Sequence, residues 1–182
     1  KKSKKSRSEN VAEDNSEKFR IATCIFFLTY SKAIVDHECM PKKYLGERLL
    51  QLLASRSKVT EQDVRLLVIC SELHKDGTPH LHVYMHLHKV LNVKSARFFD
   101  MEFRNKIFHP NIRRGYRNNT ALGYVTKEWS AENRLVLIGN LDEYISQIES
   151  YEKTKKVTDE IAEMILHGKS NMEIFESHKG FY

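Results

Sequence analysis

The nine residues from His80 to His88 alternate strictly between apolar and polar or aromatic side chains. Successive residues of a β-strand point to opposite faces, so this alternation predicts a strand with one face in a core. The core-facing set is Leu81, Val83, Met85 and Leu87. The opposite face carries His80, His82, Tyr84, His86 and His88.

Two histidines at positions i and i+2 of one strand face bring their imidazoles close enough to bind one cation. A half-exposed strand that uses histidine as its polar residue would show the same pattern. Glu72 favours the cation site, because it ends the preceding apolar run, just across the turn signal Asp76–Gly77. A strict two-residue turn would put Glu72 on the wrong face. We therefore predict an odd loop or a bulge between the two strands.

Two neutral imidazoles and one carboxylate with open positions suit Mn²⁺ or Mg²⁺ acting as a Lewis acid on phosphate. Non-haem iron and catalytic zinc use similar ligands, and ligand identity alone does not separate these metals. Glu72, His80 and His82 are thus the candidate ligands, with the metal left open.

The remaining patterns predict an α+β fold around an antiparallel sheet. Strands are expected at residues 19–30, 64–72 and 107–113, and helices at 41–54, 94–99 and from about 118 to 129. Residues 141–152 and 161–167 have helical apolar spacing. Ser170 and Glu173 form a capping-box signature that opens a last helix. No apolar run reaches the roughly 18 residues of a membrane span, so no membrane partner is expected.

Charge is unevenly distributed. Residues 1–127 hold 24 Lys and Arg against 13 Asp and Glu, whereas residues 128–182 hold 6 against 11. A basic body favours contact with polyanions, and an acidic tail favours contact with protein. A solvated charged surface would show the same imbalance, and charge alone does not separate the two. The first 18 residues have few apolar side chains and predict a disordered basic arm. Three segments result: the arm at 1–18, a domain at 19–130, and a helical region at 131–182.

Tyr124 and Lys127 lie three residues apart in the predicted helix and so share one of its faces. A phenol is a poor nucleophile at neutral pH, because its pKa lies near 10. A metal that neutralises the target phosphate, and a nearby ammonium group, would allow it to attack. A surface helix pair is the simpler interpretation of these two residues taken alone.

Taken together, these motifs resemble the HUH-endonuclease domain of geminivirus-type replication initiator proteins (Rep). Phe27–Tyr30 matches the first motif of that family, Glu72–His82 the metal motif with its upstream acidic ligand, and Tyr124–Lys127 the catalytic tyrosine motif. The segments 97–100 and 108–112 also resemble the family. The resemblance covers roughly residues 20–128 in the family's order. It implies a central antiparallel sheet of about five strands with flanking helices, in a ferredoxin- or RRM-like HUH fold, followed by a C-terminal helical appendage.

The resemblance also implies a chemistry. Glu72, His80 and His82 would hold Mn²⁺ or Mg²⁺, and Tyr124 would attack a phosphodiester in the single-stranded DNA of an origin stem-loop. The products would be a covalent 5′-phosphotyrosine link and a 3′-hydroxyl that primes rolling-circle replication. Attack of a 3′-hydroxyl on the ester would rejoin the strand, so the domain would be both a nuclease and a nucleotidyltransferase. Lys127 would help to orient or neutralise the phosphate or the metal.

The segment Asn92–Arg117 is rich in cations interleaved with aromatic residues, which favours contact with a nucleic-acid backbone and stacking on bases. The DNA-binding candidates are Tyr30, Lys94, Arg97, Arg113, Arg114, Tyr116 and Arg117. Tyr116 is the best candidate for stacking, and Tyr30 also fits a structural residue at a strand end.

The tail resembles, by position and composition, the oligomerisation region of such proteins, which implies a homo-oligomer. No helicase motif is present, although proteins of this family usually continue into a helicase domain. The basic arm favours the host nucleus, or the cytoplasm for a bacterial plasmid protein. A transposase or relaxase with the same single-tyrosine chemistry, a small metal-dependent hydrolase, and a non-catalytic RRM-like binding module remain alternatives.

Overall fold

A computed structural model of the chain describes residues 19–73, 76–116 and 133–178. Within these ranges the strands are β1 (Ile21–Tyr30), β2 (Ile34–Val35), β3 (Glu38–Cys39), β4 (Val64–Leu73), β5 (Pro79–Val93), β6 (Met101–Phe103), β7 (Lys106–Phe108), β8 (Asn111–Arg114) and β9 (Arg134–Ile138). The helices are α1 (Lys42–Ser57), α2 (Leu141–Leu166) and α3 (Asn171–Ser177). A 3-10 turn, Glu61–Asp63, precedes β4.

Five strands form the central sheet in the order β8-β1-β5-β4-β9, and every neighbouring pair is antiparallel. The predicted α+β class and the sheet of about five strands are confirmed. Strand β5 lies in the middle and is longer than its alternating segment, because it continues to Val93. The histidine strand is therefore held by a neighbour on each side.

The apolar side of β5 faces the main core. Leu81, Val83 and Met85 pack there with the leucines of α1 that recur every fourth residue, at Leu45, Leu49 and Leu53. Gly46 allows this helix to approach the sheet closely, since a Cβ at that position would lie 2.6 Å from Leu137 Cδ2 of β9. A smaller cluster covers part of the opposite face, where Tyr144 and Ile148 of α2 pack on the sheet.

We call that opposite side, which carries His80, His82, Tyr84 and His86, the histidine face. Strand β9 and the first half of α2 both fall in the segment predicted to be a helical region. Residues 134–138 are instead a strand, because Leu135–Ile138 add to the open edge of β4 by backbone pairing. The division of the chain into domains stays a prediction.

Three local predictions were wrong in detail. Residues 94–99 form turns rather than a short helix, with the Phe98 amide donating to the Ser95 carbonyl. The strand predicted at 107–113 is split at Pro110, which has no N–H to donate. The two helical stretches of the tail form one helix, α2, whereas the capping box at Ser170 opens α3 as predicted. None of the helices in the described ranges is long and apolar enough to span a membrane.

Candidate active site

The β4–β5 pairing brings the candidate ligands together. Glu72 lies directly opposite His80, and residues directly opposite in an antiparallel pair share a face. Residues 74–78 connect the last paired positions, Leu73 and Pro79. Five is an odd count, so the prediction of an odd loop is confirmed. The register therefore puts Glu72, His80 and His82 on the histidine face.

Glu72 and His82 contact each other directly. The Nε2–H of His82 donates to Glu72 Oε2 at 3.0 Å, and the His80 and His82 rings are stacked with centroids 6.3 Å apart. His82 is 7% exposed, whereas the Glu72 side chain is 39% exposed. Burial lowers the pKa of His82, although the Glu72 carboxylate opposes that shift. A neutral imidazole beside a half-exposed carboxylate is a donor set that suits a divalent cation.

The side chains as they stand do not surround a common centre. In the part of the chain that the structure describes, no group of three His, Cys, Asp or Glu side chains is arranged to hold a metal ion. At His82, Nε2 and the Glu72 carboxylate share a hydrogen bond. The residues fit a cation by donor type and by register, and a bound cation would take the place of the hydrogen between these two groups.

Two residues of the first strand hold the His82 ring, and sequence reasoning missed both. The Phe27 ring stacks on His82, with centroids 5.5 Å apart and planes 23° apart. Thr29 Oγ1 lies 3.1 Å from His82 Nδ1. Their signal was the motif Phe27–Tyr30 itself, whose alternation puts Phe27 and Thr29 on one face.

The row of residues across the sheet at His82 is polar at both ends. Thr29 pairs with Asn111 of β8 on one side, and Cys70 pairs with Arg134 of β9 on the other. Cys70 itself is fully buried, and burial raises the pKa of its thiol to about 12. Cys70 is thus a neutral packing residue. Asn111 lies in the segment 108–112 that resembles the family, whereas no sequence pattern singled out Arg134.

The described DNA-binding candidates differ in where they lie. Arg113 is exposed and pairs with Phe27, so it belongs to the histidine face, next to the row that contains His82. Arg114 pairs with Phe26 of the main core, and its guanidinium donates to the Ala22 carbonyl at 3.0 Å. Lys94 and Arg97 are exposed in the turns after β5, and Tyr116 is 63% exposed.

Tyr30 does not belong with these exposed residues. Its side chain is fully buried, and its hydroxyl donates to the Phe99 carbonyl at 2.7 Å. Burial raises the pKa of its phenol above the usual value. A side chain with this burial and this bond is part of the core, which fits the structural interpretation of Tyr30 and removes it from the DNA-contacting set.

Tyr124, Lys127 and Arg117 lie outside the described residues, as do the predicted helix at 118–129 and the basic arm at 1–18. Their roles stay predictions.

A cavity of about 560 Å³ lies beside Glu72. It is lined by Lys42 and Ser71 among others, and Lys42 Nζ donates to Ser71 Oγ at 3.2 Å. Lys42 is a cation that lines the same cavity as Glu72, and the sequence did not reveal it.

Comparison with known proteins decides the family. A model of the geminivirus Rep catalytic domain matches residues 19–137, which is more than half of the chain. The chain belongs to the geminivirus Rep catalytic domain family. The matched range contains the central sheet except its last residue, Ile138, together with α1 and the three candidate metal ligands, so the resemblance drawn from the motifs is confirmed.

Two viral relatives show how much of such a protein is present. The chain is 31% identical over 117 residues to "Replication-associated protein A" of Tobacco yellow dwarf virus (strain Australia), which is 64% of this chain and 35% of the relative. It is 37% identical over 116 residues to "Replication-associated protein" of Cabbage leaf curl virus (isolate Jamaica), covering 63% of this chain and 30% of the relative. The chain therefore matches about a third of the length of these relatives.

Proposed function

We propose that this chain is the nicking and joining domain of a replication initiator that acts on single-stranded origin DNA in rolling-circle replication. The observation that supports this most directly is the shared face of Glu72, His80 and His82 in a member of the Rep catalytic domain family. The exposed Arg113 on the same face suits a DNA backbone that runs past these ligands.

Glu72, His80 and His82 would hold Mn²⁺ or Mg²⁺. The cation would act as a Lewis acid that withdraws charge from the scissile phosphate. Tyr124 supplies the nucleophile: its phenol loses its proton, and its oxygen forms a bond to phosphorus. The bond from phosphorus to the 3′-side oxygen breaks, and that oxygen takes up a proton. The products are a 5′-phosphotyrosine ester and a 3′-hydroxyl, and Lys127 balances charge near the phosphate.

The ester conserves the energy of the broken phosphodiester. A 3′-hydroxyl that attacks it reverses the step, so the same residue can rejoin a strand without ATP. This balance distinguishes a nucleotidyltransferase from a hydrolase, in which water would be the final acceptor. The proposed enzyme is therefore a metal-dependent, site-specific endonuclease and ligase with a single tyrosine.

The decisive experiment is mass spectrometry of a DNA adduct. The chain is incubated with Mn²⁺ and a pool of hairpin oligonucleotides whose loops are randomised, and tryptic peptides are searched for a linked nucleotide. We expect an adduct on Tyr124 that is lost in Tyr124→Phe and after addition of EDTA. Tyr151→Phe is the matched control, because Tyr151 is exposed on α2, well along the chain from the motif.

The outcomes separate the alternatives. An adduct on another tyrosine, or nicking that survives Tyr124→Phe, would contradict the tyrosine assignment. Metal-dependent cleavage that leaves no adduct would indicate a hydrolase. Binding of the oligonucleotides without an adduct or cleavage would indicate a non-catalytic RRM-like module. A related transposase or relaxase would form the adduct but join a different element.

The same proposal includes a homo-oligomer formed through the C-terminal helices. Large apolar side chains are exposed on α2 and α3, among them Leu166 at 84% and Met172 at 68%. Light scattering should show a mass above that of one chain, which falls to the monomer in Leu166→Asp. An unchanged mass in that variant would place the contact elsewhere.

We also propose that the protein acts in the host nucleus, with residues 1–18 as the import signal. These residues, fused to a fluorescent protein, should direct it to the nucleus of plant cells. A second fusion, in which all six basic residues of this segment are replaced by alanine, should stay outside the nucleus. These residues are Lys1, Lys2, Lys4, Lys5, Arg7 and Lys18. Equal distribution of both fusions would contradict the proposal.

A further inference from the structure

Thr29 contributes a hydroxyl to the candidate active site, on the side of His82 that faces away from Glu72. Its Oγ1 lies 3.1 Å from Nδ1, while Nε2 of the same ring contacts Glu72 Oε2 at 3.0 Å. The two contacts use the two nitrogens of one imidazole. Whether one nitrogen carries the ring hydrogen therefore decides whether the other nitrogen donates or accepts a hydrogen bond.

The contact with Glu72 fixes the position of the ring hydrogen in this arrangement. A carboxylate only accepts hydrogen bonds, so the hydrogen of the neutral ring lies on Nε2. Nδ1 then carries a lone pair, and the Thr29 hydroxyl donates to it. Binding of a cation by Nε2 needs the opposite tautomer, with the hydrogen on Nδ1. In that state Nδ1 requires an acceptor.

A hydroxyl is one of the few groups that satisfy both states in place, because rotation about its C–O bond turns a donor into an acceptor. A backbone carbonyl could serve only the cation-binding tautomer, and an apolar side chain could serve neither. The ring itself has little room to move, since Phe27 stacks on it and the histidine is 7% exposed. The change must therefore occur by moving hydrogens rather than the ring: Nε2 releases its proton to water as the cation binds, and Nδ1 takes up one proton from water, so the ring stays neutral.

We propose that Thr29 is a positioning residue for His82, and that its hydroxyl reverses its hydrogen bond when a divalent cation replaces the hydrogen on Nε2. This inference rests on the proposed function, in which Glu72, His80 and His82 hold the cation. It gives the first strand of the domain a role in metal affinity. Thr29 itself does not touch the metal or the DNA in this role.

Calorimetric titration with Mn²⁺, without DNA, tests the role of the hydroxyl. Thr29→Val has nearly the same shape but lacks the hydroxyl, and we expect it to weaken Mn²⁺ binding by about 10- to 100-fold. Thr29→Ser restores the hydroxyl and should bind within about threefold of the wild type. The matched control is Thr158→Val, which removes an exposed hydroxyl on α2 that bonds only along its own helix in the contacts described, to Thr154 O at 2.9 Å.

A second measurement does not depend on a variant. Long-range ¹H–¹⁵N correlation spectra of the wild-type chain distinguish the two tautomers of His82. We expect the Nε2–H tautomer in EDTA and the Nδ1–H tautomer at saturating Mg²⁺, which is diamagnetic. This spectrum keeps the proposal testable if Thr29→Val does not fold.

The results also separate this inference from the proposed function. Equal Mn²⁺ affinity in the wild type and a folded Thr29→Val variant, or one unchanged tautomer of His82, would overturn the role of Thr29 and leave the metal site intact. Failure of the wild type to bind Mn²⁺ or Mg²⁺ would overturn both. Loss of binding in Thr29→Val that Thr29→Ser does not rescue would assign the effect to packing and overturn the hydrogen-bond role.

Discussion

The two ends of the histidine face differ although one alternating pattern produced both. At the end near the β4–β5 loop, His82 faces the half-exposed carboxylate of Glu72. Four residues further along β5, His86 is covered by α2, and its Nδ1 lies 2.6 Å from the Tyr144 hydroxyl. Both imidazoles are 7% exposed, so burial does not distinguish them. The partner that another segment supplies decides whether a histidine on this strand is a candidate ligand or a core residue.

The covered end is a small core of its own. The Tyr144 hydroxyl also contacts the Tyr84 hydroxyl at 3.0 Å, and Ile148, one turn further along α2, is fully buried beside them. At the other end, the described neighbours of His82 include the polar Glu72 and Thr29 and the ring of Phe27, with no residue of α2 among the contacts described. The end covered by α2, around His86, should therefore govern stability, and the end around His82 should govern metal affinity. Four predictions test this separation, in order of decreasing effect.

Ile148→Ala should have the largest effect, on stability. Removing a fully buried isoleucine side chain costs about 3 kcal/mol of the free energy of unfolding, because transfer and cavity costs add. Denaturant unfolding measures it. Ile165→Ala on the same helix is the control, since Ile165 is 60% exposed, and its change should stay within about 0.5 kcal/mol. Equal effects of the two variants would mean that the first half of α2 is not packed on the sheet.

His82→Ala should weaken metal binding, whereas His86→Ala should not. Loss of one of three ligands should weaken Mn²⁺ binding by at least about 100-fold, or ~2.7 kcal/mol. His86→Ala should leave Mn²⁺ affinity unchanged and lower the midpoint of thermal unfolding instead. Calorimetry and thermal unfolding of both variants provide the comparison. Weaker Mn²⁺ binding in His86→Ala would contradict the separation of the two ends.

Tyr144→Phe removes only the hydroxyl that His86 Nδ1 and Tyr84 both contact. We expect a loss of about 1–2 kcal/mol in the free energy of unfolding, because buried polar groups lose a partner. Mn²⁺ affinity should not change. Tyr151→Phe, at an exposed position of α2, controls for the general effect of losing a phenol. A lower Mn²⁺ affinity in Tyr144→Phe would show that the covered end is coupled to the ligands along β5.

The sequence predicted the histidine face well because alternation is a local property. The odd loop that brings Glu72 opposite His80 followed from the same parity argument. The cover of His86 could not be predicted in this way, since Tyr144 lies 58 residues away and its own helix pattern names no target. The contact of Thr29 with His82 could not be predicted either, because the two residues lie 53 positions apart in the chain. Residues 134–138 were predicted as part of a helical region. Their strand was missed because it depends on pairing with β4, which is distant in the chain.

The smallest effect is expected near the His82 end of the histidine face, where two adjacent arginines lie on opposite faces of β8. Arg113 shares the face of Phe27 and is exposed, whereas Arg114 lies opposite Phe26 and donates to the Ala22 carbonyl. If single-stranded DNA crosses the histidine face, Arg113→Gln removes one phosphate contact and reduces the slope of log affinity against log salt by ~0.7. Arg114→Gln should leave that slope unchanged, although both variants lose the same charge.

Fluorescence anisotropy with a labelled single strand, measured from low to moderate salt, separates the two arginines. Equal reductions in slope would indicate that only net charge matters and that DNA does not select a face of the sheet. A larger reduction in Arg114→Gln would place the DNA on the side of the main core and would contradict the role of the histidine face. A reduction confined to Arg113→Gln would connect the DNA path to the face that carries Glu72, His80 and His82, because Arg113 is one strand away from Thr29 and Phe27 in the same sheet.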